Sequence, residues 1–593
     1  MMHVCTPERQ SARRYRRRRT ALLLLLILTS AVAASAQDDA GWSHGAGLNP
    51  GARAAYPGPD LSLHALILRG RLSDLRWPDF SEHRAEVEEF YSRIQYARAW
   101  LRNGQPTPQA LQMIALLQEA DSDGLRAEDY DSFRWLERLA YLQRPHSLSD
   151  EMRFDLALTI CAIRYVSDVR MGRISPRYLN FDIDEGHKEL DLPMFVQQRL
   201  ADGKDVRSEL ERIEPPFVGY RRLRNALCMY MRLAHEDDGD PLPMPTDLGY
   251  PGPPYAGFVR LTTLLRRLGD LPGSYSAAQA ASQAYDPTLV QAVRRFQNRH
   301  GLSSTGYLDA ATIEQLNVPL TQRVEQIRLA LERYRWVRYD SGQPRMVVNI
   351  PAFHLYAFEG NGKTALTMRV DVGEDFDYTR TPVMQDSIEY MVFRPYWEVP
   401  RNILLTEIIP MISEDPKAMS DYRLEVVSPT GEVVTADKVS GEVLRQLRAG
   451  RLRVRQRPGP YNAMGLVKFS FPNRYNVYLH DVPERELRFV LPDRIASHGC
   501  IHVERPAELA AWMLRDKPEW TLQRVQQAMR NGQNSRRVDL SHPLPVRIVY
   551  ATATATEDGD IHFYPDIYGY DAELSHALAG GYPYPKTKVL PKM

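Results

Sequence analysis

The segment of this chain best suited to covalent chemistry runs from Ser497 to Val503 and reads Ser-His-Gly-Cys-Ile-His-Val. His480 lies twenty positions before Cys500. A free thiol, with a pKa of about 8.5, is mostly protonated at neutral pH, so a nucleophilic cysteine needs a nearby imidazole to take its proton. If residues 477–480 and 498–503 form adjacent strands, His480 and Cys500 can lie side by side.

Three interpretations fit this spacing. Cys500 could be a buried strand cysteine beside structural histidines. Alternatively, His498, Cys500 and His502 would share one face of a regular strand, and that face could bind zinc together with His480. In the third interpretation, Cys500 is a nucleophile and His480 is its general base.

The N-terminal residues predict export. Arginines at positions 13, 14 and 16–19 precede an apolar stretch from Ala21 to Ala34, which closes on Ala34-Ser35-Ala36. This is the layout of a cleaved signal peptide (1–36), and the apolar stretch is shorter than the ~20 residues of a membrane-spanning helix. We therefore expect a periplasmic mature chain that begins at Gln37 and has no stable membrane span.

Export makes the cysteine count informative. Cys5 lies in the removed segment, which leaves Cys161, Cys228 and Cys500. Cys161 and Cys228 either form a disulfide or are separate helical cysteines, and the sequence leaves both open. Cys500 is then unpaired. This favours the interpretation of Cys500 as a nucleophile, because an exported free thiol without a chemical role is prone to oxidation. Gly499 also favours it, since a glycine beside the nucleophile lets backbone amides approach an oxyanion.

Length and composition predict several folded domains. The 593 residues exceed the ~250–300 at which a single core stops growing. Hydrophobic residues make up 44%, charged residues 25%, and the net charge is +1, which argues against disorder and against a nucleic-acid groove. No metal or organic cofactor is expected, and nothing indicates the oligomeric state.

The periodicity of apolar residues predicts an α+β multidomain fold. A linker rich in Gly, Ala and Pro (37–60) precedes a helical scaffold domain (61–260), in which apolar residues recur at helical spacing. A small helical module (274–319) and a linking helix (321–334) follow. Strand-like segments at 346–350, 354–358 and 366–370, with helices at 403–412 and 506–514, predict a β-rich domain (340–552). A C-terminal extension (553–593) ends the chain.

The small module carries a family resemblance. Asp286 and Pro287 open a helix that ends at His300-Gly301, and a second helix is expected over 309–316. The string from Leu289 to Leu302 resembles the peptidoglycan-binding domain type 1 over residues 274–319. The resemblance implies a three-helix module that binds the sacculus, although Thr305 stands where such modules often carry Asp.

The catalytic segment carries the stronger resemblance. Residues 497–503 with His480 resemble the signature of the L,D-transpeptidase catalytic (YkuD-type) domain. Further segments resemble the large multidomain periplasmic branch of that family, which carries an inserted capping segment, here 401–460: Val348–Ala352, Pro395–Pro400, Pro458–Asn462 and Tyr478–Asp481. His502 departs from the Arg that the family usually shows.

This resemblance implies a function in cell wall biogenesis and cell shape. Cys500 would attack a peptidoglycan stem tetrapeptide, His480 would move the protons, and a thioester would lead to a 3→3 crosslink. The remaining implied roles are an acyl pocket and oxyanion site at Ser497, His498 and Gly499, and substrate contacts at His502, Trp397 and Tyr478. The family is also a target of carbapenems. A wall-binding scaffold without activity and a zinc-dependent wall hydrolase are the alternatives.

Overall fold

The computed structural model describes residues 62–586, apart from positions 185–189, 238, 246–254, 276–278, 280–284, 338–341, 377–378, 416, 491–493 and 557. The predicted signal peptide and linker lie outside the described residues. Across the described ranges, no helix is long and apolar enough to cross a membrane.

The N-terminal half of the described chain is helical and is built around one long helix, α5. Ser147 caps this helix, because its hydroxyl accepts the Asp150 N–H while the Asp150 carboxylate accepts the Ser147 N–H. The helix ends at Gly172. The helices here are α1 (Leu63–Leu68), α2 (Arg84–Arg93), α3 (Pro108–Gln118), α4 (Trp135–Leu142), α5 (Leu148–Met171), α6 (Leu192–Phe195), α7 (Val206–Ile213) and α8 (Val218–Glu236), with a short hairpin of β1 (Leu101–Arg102) and β2 (Gln105–Pro106).

The next unit has its own apolar core, which joins three helices: α9 (Phe258–Arg267), α10 (Pro287–Arg299) and α11 (Ala310–Leu316). Asp286 caps α10 by accepting the Leu289 N–H at 2.9 Å, and Pro287 suits the first turn because its missing N–H needs no partner there. Helix α12 (Leu320–Trp336) then packs against α8 and the C-terminal strands. The core therefore extends N-terminal to residue 274, the predicted start of the module.

The β-rich domain is a nine-stranded sheet in the order β13-β5-β14-β12-β11-β6-β15-β3-β4, and β5 also pairs with β4, so the sheet closes on itself. Burial alternates along β4, where Leu355 and Ala357 face the core. The strands are β3 (Arg345–Asn349), β4 (His354–Phe358), β5 (Thr364–Gly373), β6 (Met384–Phe393), β11 (Val467–Ser470), β12 (Leu479–His480), β13 (Ile495–Ser497), β14 (Ile501–Val503) and β15 (Arg536–Val549).

The segment between β6 and β11 forms a separate small layer. Its four-stranded sheet has the order β7-β10-β8-β9 and packs on helices around its own core. The predicted helix 403–412 is divided here, because a π-helical stretch (404–408) separates two short helices and Pro410 lies in the first turn of the second. Its elements are β7 (Trp397–Glu398), α13 (Arg401–Ile403), α14 (Ile409–Glu414), α15 (Ala418–Asp421), β8 (Leu424–Val427), β9 (Val433–Thr435), α16 (Gly441–Arg448) and β10 (Arg453–Gln456).

The C-terminal residues contact the helical half of the chain. The buried side chains of Tyr582 and Tyr584 reach the helical half, where Tyr582 donates to Asp168 and Tyr584 donates to Asp129 at 2.9 Å. The remaining elements are α17 (Arg485–Arg488), α18 (Pro506–Met513), α19 (Leu522–Asn531), β16 (Ala553–Ala555), β17 (Ile561–Phe563) and α20 (Tyr570–Ala579).

Candidate active site

Four ionisable side chains form one row across four neighbouring strands. Lys468 on β11 pairs with His480 on β12, His480 pairs with His502 on β14, and His502 pairs with Asp371 on β5. Residues directly opposite each other share a face of a sheet, so the four side chains lie on the same side. Cys500 immediately precedes β14, two residues before His502. The predicted adjacency of the His480 and Cys500 segments is confirmed.

His480 is held as a neutral base. Its side chain is buried, and its Nδ1–H donates to the main-chain carbonyl of Asp481 across 2.6 Å. This bond places the proton on Nδ1 and leaves the Nε2 lone pair available. Burial lowers the pKa of His480 well below its usual range, and the nearby His502 and Lys468 lower it further.

Cys500 lies beside the turn that leads into β12. Its thiol contacts the main-chain carbonyl of Asn476 at 3.9 Å, and the Ile501 N–H donates to the Tyr478 carbonyl at 2.9 Å. Burial raises the pKa of the Cys500 thiol, while the Tyr478 backbone and the charge of Lys468 act in the opposite direction. No hydrogen bond joins Cys500 to His480 in the described part of the chain.

The loop before Cys500 is fixed by a compact set of hydrogen bonds. Ser497 Oγ donates to the Cys500 carbonyl at 2.5 Å and accepts the Gly499 N–H at 3.1 Å. The Thr381 hydroxyl donates to the Gly499 carbonyl and accepts the Gly373 N–H, each at 2.9 Å. Gly499 has a φ of +107°, which a side chain would strain. Since its N–H is already used, an oxyanion role for Gly499 stays a prediction.

His498 contacts the capping insertion. It lies before β14, and its Nε2 is 2.8 Å from a carboxylate oxygen of Glu407 in the π-helical stretch. The regular strand that the zinc interpretation required begins only at Ile501. Among the described residues, no group of three or more His, Cys, Asp or Glu is arranged to hold a metal ion.

Comparison with known families now assigns the domain. Residues 343–532 match the family described as the L,D-transpeptidase catalytic domain, and this range contains Cys500, His480 and the row. The chain contains an L,D-transpeptidase catalytic domain. Residues 257–316 match the family described as “Putative peptidoglycan binding domain”, and residues 85–227 match the family described as “Scaffold domain”.

Three known proteins are similar to parts of this chain. A Haemophilus influenzae protein named “Putative L,D-transpeptidase” is 32% identical over 313 residues, which is 51% of this chain and 62% of the relative. The match thus spans less than two thirds of that relative's length. Two solved L,D-transpeptidase structures each align over 52% of this chain. The structure from Xylanimonas cellulosilytica is 16% identical, is covered over 100% of its length and has a TM-score of 0.17. The structure from Stackebrandtia nassauensis is 12% identical, is covered over 97% of its length and has a TM-score of 0.20.

Of the three predicted substrate-binding residues, Tyr478 and His502 lie beside the row and Trp397 lies in the small layer. Tyr478 precedes β12, and Lys468 Nζ lies 3.3 Å from the centre of its ring. His502 packs its ring edge-on to His480, with 4.9 Å between ring centres, and its Nδ1 is 3.5 Å from Asp371. Trp397 instead lies on β7 of the small layer and packs against that layer's core. Substrate contact by these residues stays a prediction.

Sequence reasoning missed several residues of this L,D-transpeptidase site. Asp371 is fully buried, with Arg488 at 2.7 Å and Arg494 at 3.5 Å. Burial raises the pKa of Asp371, but His502 and Arg488 outweigh burial, so the pKa is lowered and the carboxylate is ionised. Asp371 lies over a hundred positions before Cys500, and only strand pairing brings them together. Alternation gave no signal, because Asp371 lies between the core residues Val370 and Val372 and so falls on the face where polar residues are expected.

Proposed function

We propose that this protein is a periplasmic L,D-transpeptidase that forms 3→3 crosslinks in peptidoglycan through a thioester on Cys500. The observation that supports this most is the pairing of β12 with β14. This pairing brings a neutral, oriented imidazole next to the strand that begins directly after Cys500, the only thiol of the catalytic domain.

The reaction begins with proton transfer from the thiol to Nε2 of His480. The Cys500 sulfur attacks the carbonyl that joins residue three of the stem, diaminopimelate, to the D-alanine at position four. The carbon–nitrogen bond breaks, and the leaving amine takes the proton from His480. The side-chain amine of a second stem then attacks the thioester, a new amide bond forms, and the thiol regains a proton through His480. Water as the acceptor would release a tripeptide instead.

This chemistry requires a small movement within the site. The lowered pKa of His480 favours the neutral ring that can accept a proton, but the ring and the thiol are not hydrogen-bonded in the structure. Catalytic hydrogen bonds often tighten only when substrate is bound. The contact between His498 and Glu407 suggests that the small layer of the capping insertion closes over the same site.

The other domains would place the enzyme on its polymeric substrate. A module that binds the sacculus raises the local concentration of stem peptides at the catalytic domain without adding catalytic contacts. Cleavage after Ala36, as the sequence predicts, would deliver the protein to the periplasm, where both the polymer and the stems are present.

Mass spectrometry of muropeptides tests the proposal. Purified mature protein should convert tetrapeptide-rich sacculi into 3→3 crosslinked dimers with release of D-alanine, and Cys500→Ala protein should not. A matched control is Cys228→Ala, which removes an exposed thiol from α8 and should leave the products unchanged. Dimers formed equally by Cys500→Ala protein would contradict the proposal, and so would wild-type protein that yields neither dimers nor free D-alanine.

A further inference from the structure

The nucleophile lacks a cationic partner in the residues assigned so far. In many cysteine enzymes a positive charge beside the sulfur stabilises the thiolate. His480 is poorly suited to supply it at rest, because burial lowers its pKa well below the usual range. A buried thiol without such a charge would be a weak nucleophile at neutral pH, since burial disfavours the anion.

Lys468 is the cation in the right place. It is half-buried on β11 as the cross-strand neighbour of His480, one strand further from Cys500. Its side chain runs along the sheet face towards Tyr478, where the ammonium lies 3.3 Å from the ring centre. The Tyr478 carbonyl accepts the Ile501 N–H at 2.9 Å, which places Tyr478 beside the residue that follows Cys500. Tyr478 thus links the ammonium and the thiol on one side of the sheet.

The charge of Lys468 is not neutralised by an acid. Within the described ranges, no carboxylate lies within 4.0 Å of its ammonium nitrogen. The carboxylate that acts on it electrostatically is that of Glu398, which is itself paired with Arg453 at 3.1 Å. A half-buried ammonium held only by an aromatic ring is available to a negative charge that forms nearby.

We infer that Lys468 stabilises the Cys500 thiolate electrostatically, from its position over Tyr478 on the same face of the sheet. Burial lowers the pKa of Lys468 and raises the pKa of the Cys500 thiol, and the two groups oppose this effect in each other: the charge of Lys468 lowers the pKa of the thiol, and a thiolate at Cys500 raises the pKa of Lys468. His480 then acts as the proton carrier, and Lys468 as the fixed positive charge. This inference extends the proposed transpeptidase function by dividing the two roles between two residues.

Other charges around the thiol must stay constant in a test. The groups on the neighbouring elements are His480 on β12, His498 before β14 with Glu407 of the capping insertion, and His502 on β14 with Asp371 of β5. Each is retained in every variant below, so a change in the pH profile reports on position 468 alone.

The test is the pH dependence of alkylation of Cys500 by iodoacetamide, followed on the peptide that contains Cys500 by mass spectrometry. Iodoacetamide reacts with the thiolate and needs no peptidoglycan, so this outcome is independent of the muropeptide experiment. Cys228 is exposed on α8 and is alkylated in the same sample, which gives an internal reference. Exposed Lys438 of the capping insertion provides a matched control, Lys438→Met.

Lys468→Met and Lys468→Gln should both move the midpoint of alkylation to higher pH and slow the reaction at neutral pH by about tenfold, the equivalent of one pKa unit. Lys468→Arg, which keeps the charge, should retain a midpoint close to wild type. Lys438→Met should not shift it, and Cys228 should behave alike in all variants. An unchanged midpoint in the two neutral variants would overturn the inference. A shift in Lys468→Arg as large as in Lys468→Met would also overturn it, because shape rather than charge would then be responsible.

Discussion

The imidazole of His480 is oriented by the main chain of its neighbour, since Nδ1–H donates to the Asp481 carbonyl across 2.6 Å. The Asp481 carboxylate plays no part in this contact. It accepts the Leu466 N–H at 2.9 Å and pairs with Arg485 at 2.6 Å. A carbonyl fixes the tautomer without adding a full negative charge. Its hydrogen bond raises the pKa of His480, but burial outweighs this effect and keeps the ring neutral.

The rate of acylation should therefore begin to fall only at unusually low pH. A lowered pKa keeps His480 unprotonated as the pH falls through 6.5, the ordinary value for histidine. Single-turnover acylation of Cys500 by a carbapenem should retain most of its rate at pH 6 and fall only at lower pH. An acid limb centred at or above pH 6.5 would contradict the assignment of a neutral buried base.

Glu332 should be essential to the contact between helix α12 and the residues that follow α5 in the helical half. It is fully buried on α12, 3.2 Å from Arg173 and 3.3 Å from Arg335. Glu332→Gln leaves two buried guanidinium groups without a counter-charge, which typically costs about 3–5 kcal/mol. Denaturant unfolding should show this loss. The exposed pair of Glu442 and Arg445 is the control, and Glu442→Gln should cause no measurable change. Equal stability of wild type and Glu332→Gln would contradict this role.

Asp168 should make the protein less stable as the pH rises. Burial raises its pKa from 3.8 to about 7, although Tyr130 donates to it at 2.6 Å. The folded state therefore holds one extra proton between these values. The contribution of Asp168 to the free energy of unfolding is fully present below pH 3.8. It is lost as the pH rises towards 7, by about 1.4 kcal/mol per pH unit.

The variant that isolates this effect is Asp168→Asn, whose amide oxygen can still accept from Tyr130 and Tyr582. Its free energy of unfolding should depend less on pH between 5 and 7 than that of wild type. Asp516→Asn, which removes an exposed carboxylate, is the control. Its free energy of unfolding should depend on pH as that of wild type does. Parallel slopes for Asp168→Asn and wild type would show that Asp168 does not carry this proton.

The cysteines should titrate as three thiols. Cys161, Cys228 and Cys500 are all free in the structure, so the disulfide that the sequence left open between the first two is not formed. Denatured, non-reduced mature protein should react with three equivalents of a thiol reagent. In the native protein Cys228 should react first, and Cys161 last, because burial raises the pKa of Cys161 to about 12. One thiol after denaturation would instead indicate a disulfide.

The sequence predicts the elements of the site better than their contacts. A short aromatic segment bounded by turn residues predicts β4 at its observed bounds, and Asp286 and Pro287 predict the start of α10. Both signals are local, because they depend on residue types close together along the chain. The close pairing of residues 477–480 with 498–503 also follows from short separation along the chain.

The partners of Cys500 and His480 are not local. Asp371 joins the row through the pairing of β5 with β14, and Lys468 joins it through β11, two pairings that the sequence does not specify. The contact of His498 with Glu407 depends on how the capping insertion folds back. The carbonyl that orients His480 belongs to the main chain, which every residue has, so no residue type could reveal it.

The central claim is that Cys500 forms a thioester with the donor stem. Peptide mapping by mass spectrometry after brief incubation with a synthetic stem tetrapeptide tests it most directly. The account predicts a tripeptidyl adduct on the peptide that contains Cys500, one D-alanine released per adduct, no adduct in Cys500→Ala protein, and formation slowed roughly 10²- to 10⁴-fold in His480→Ala. Release of D-alanine that is abolished by chelators, with no adduct on Cys500 and with stoichiometric zinc in the protein, would contradict it.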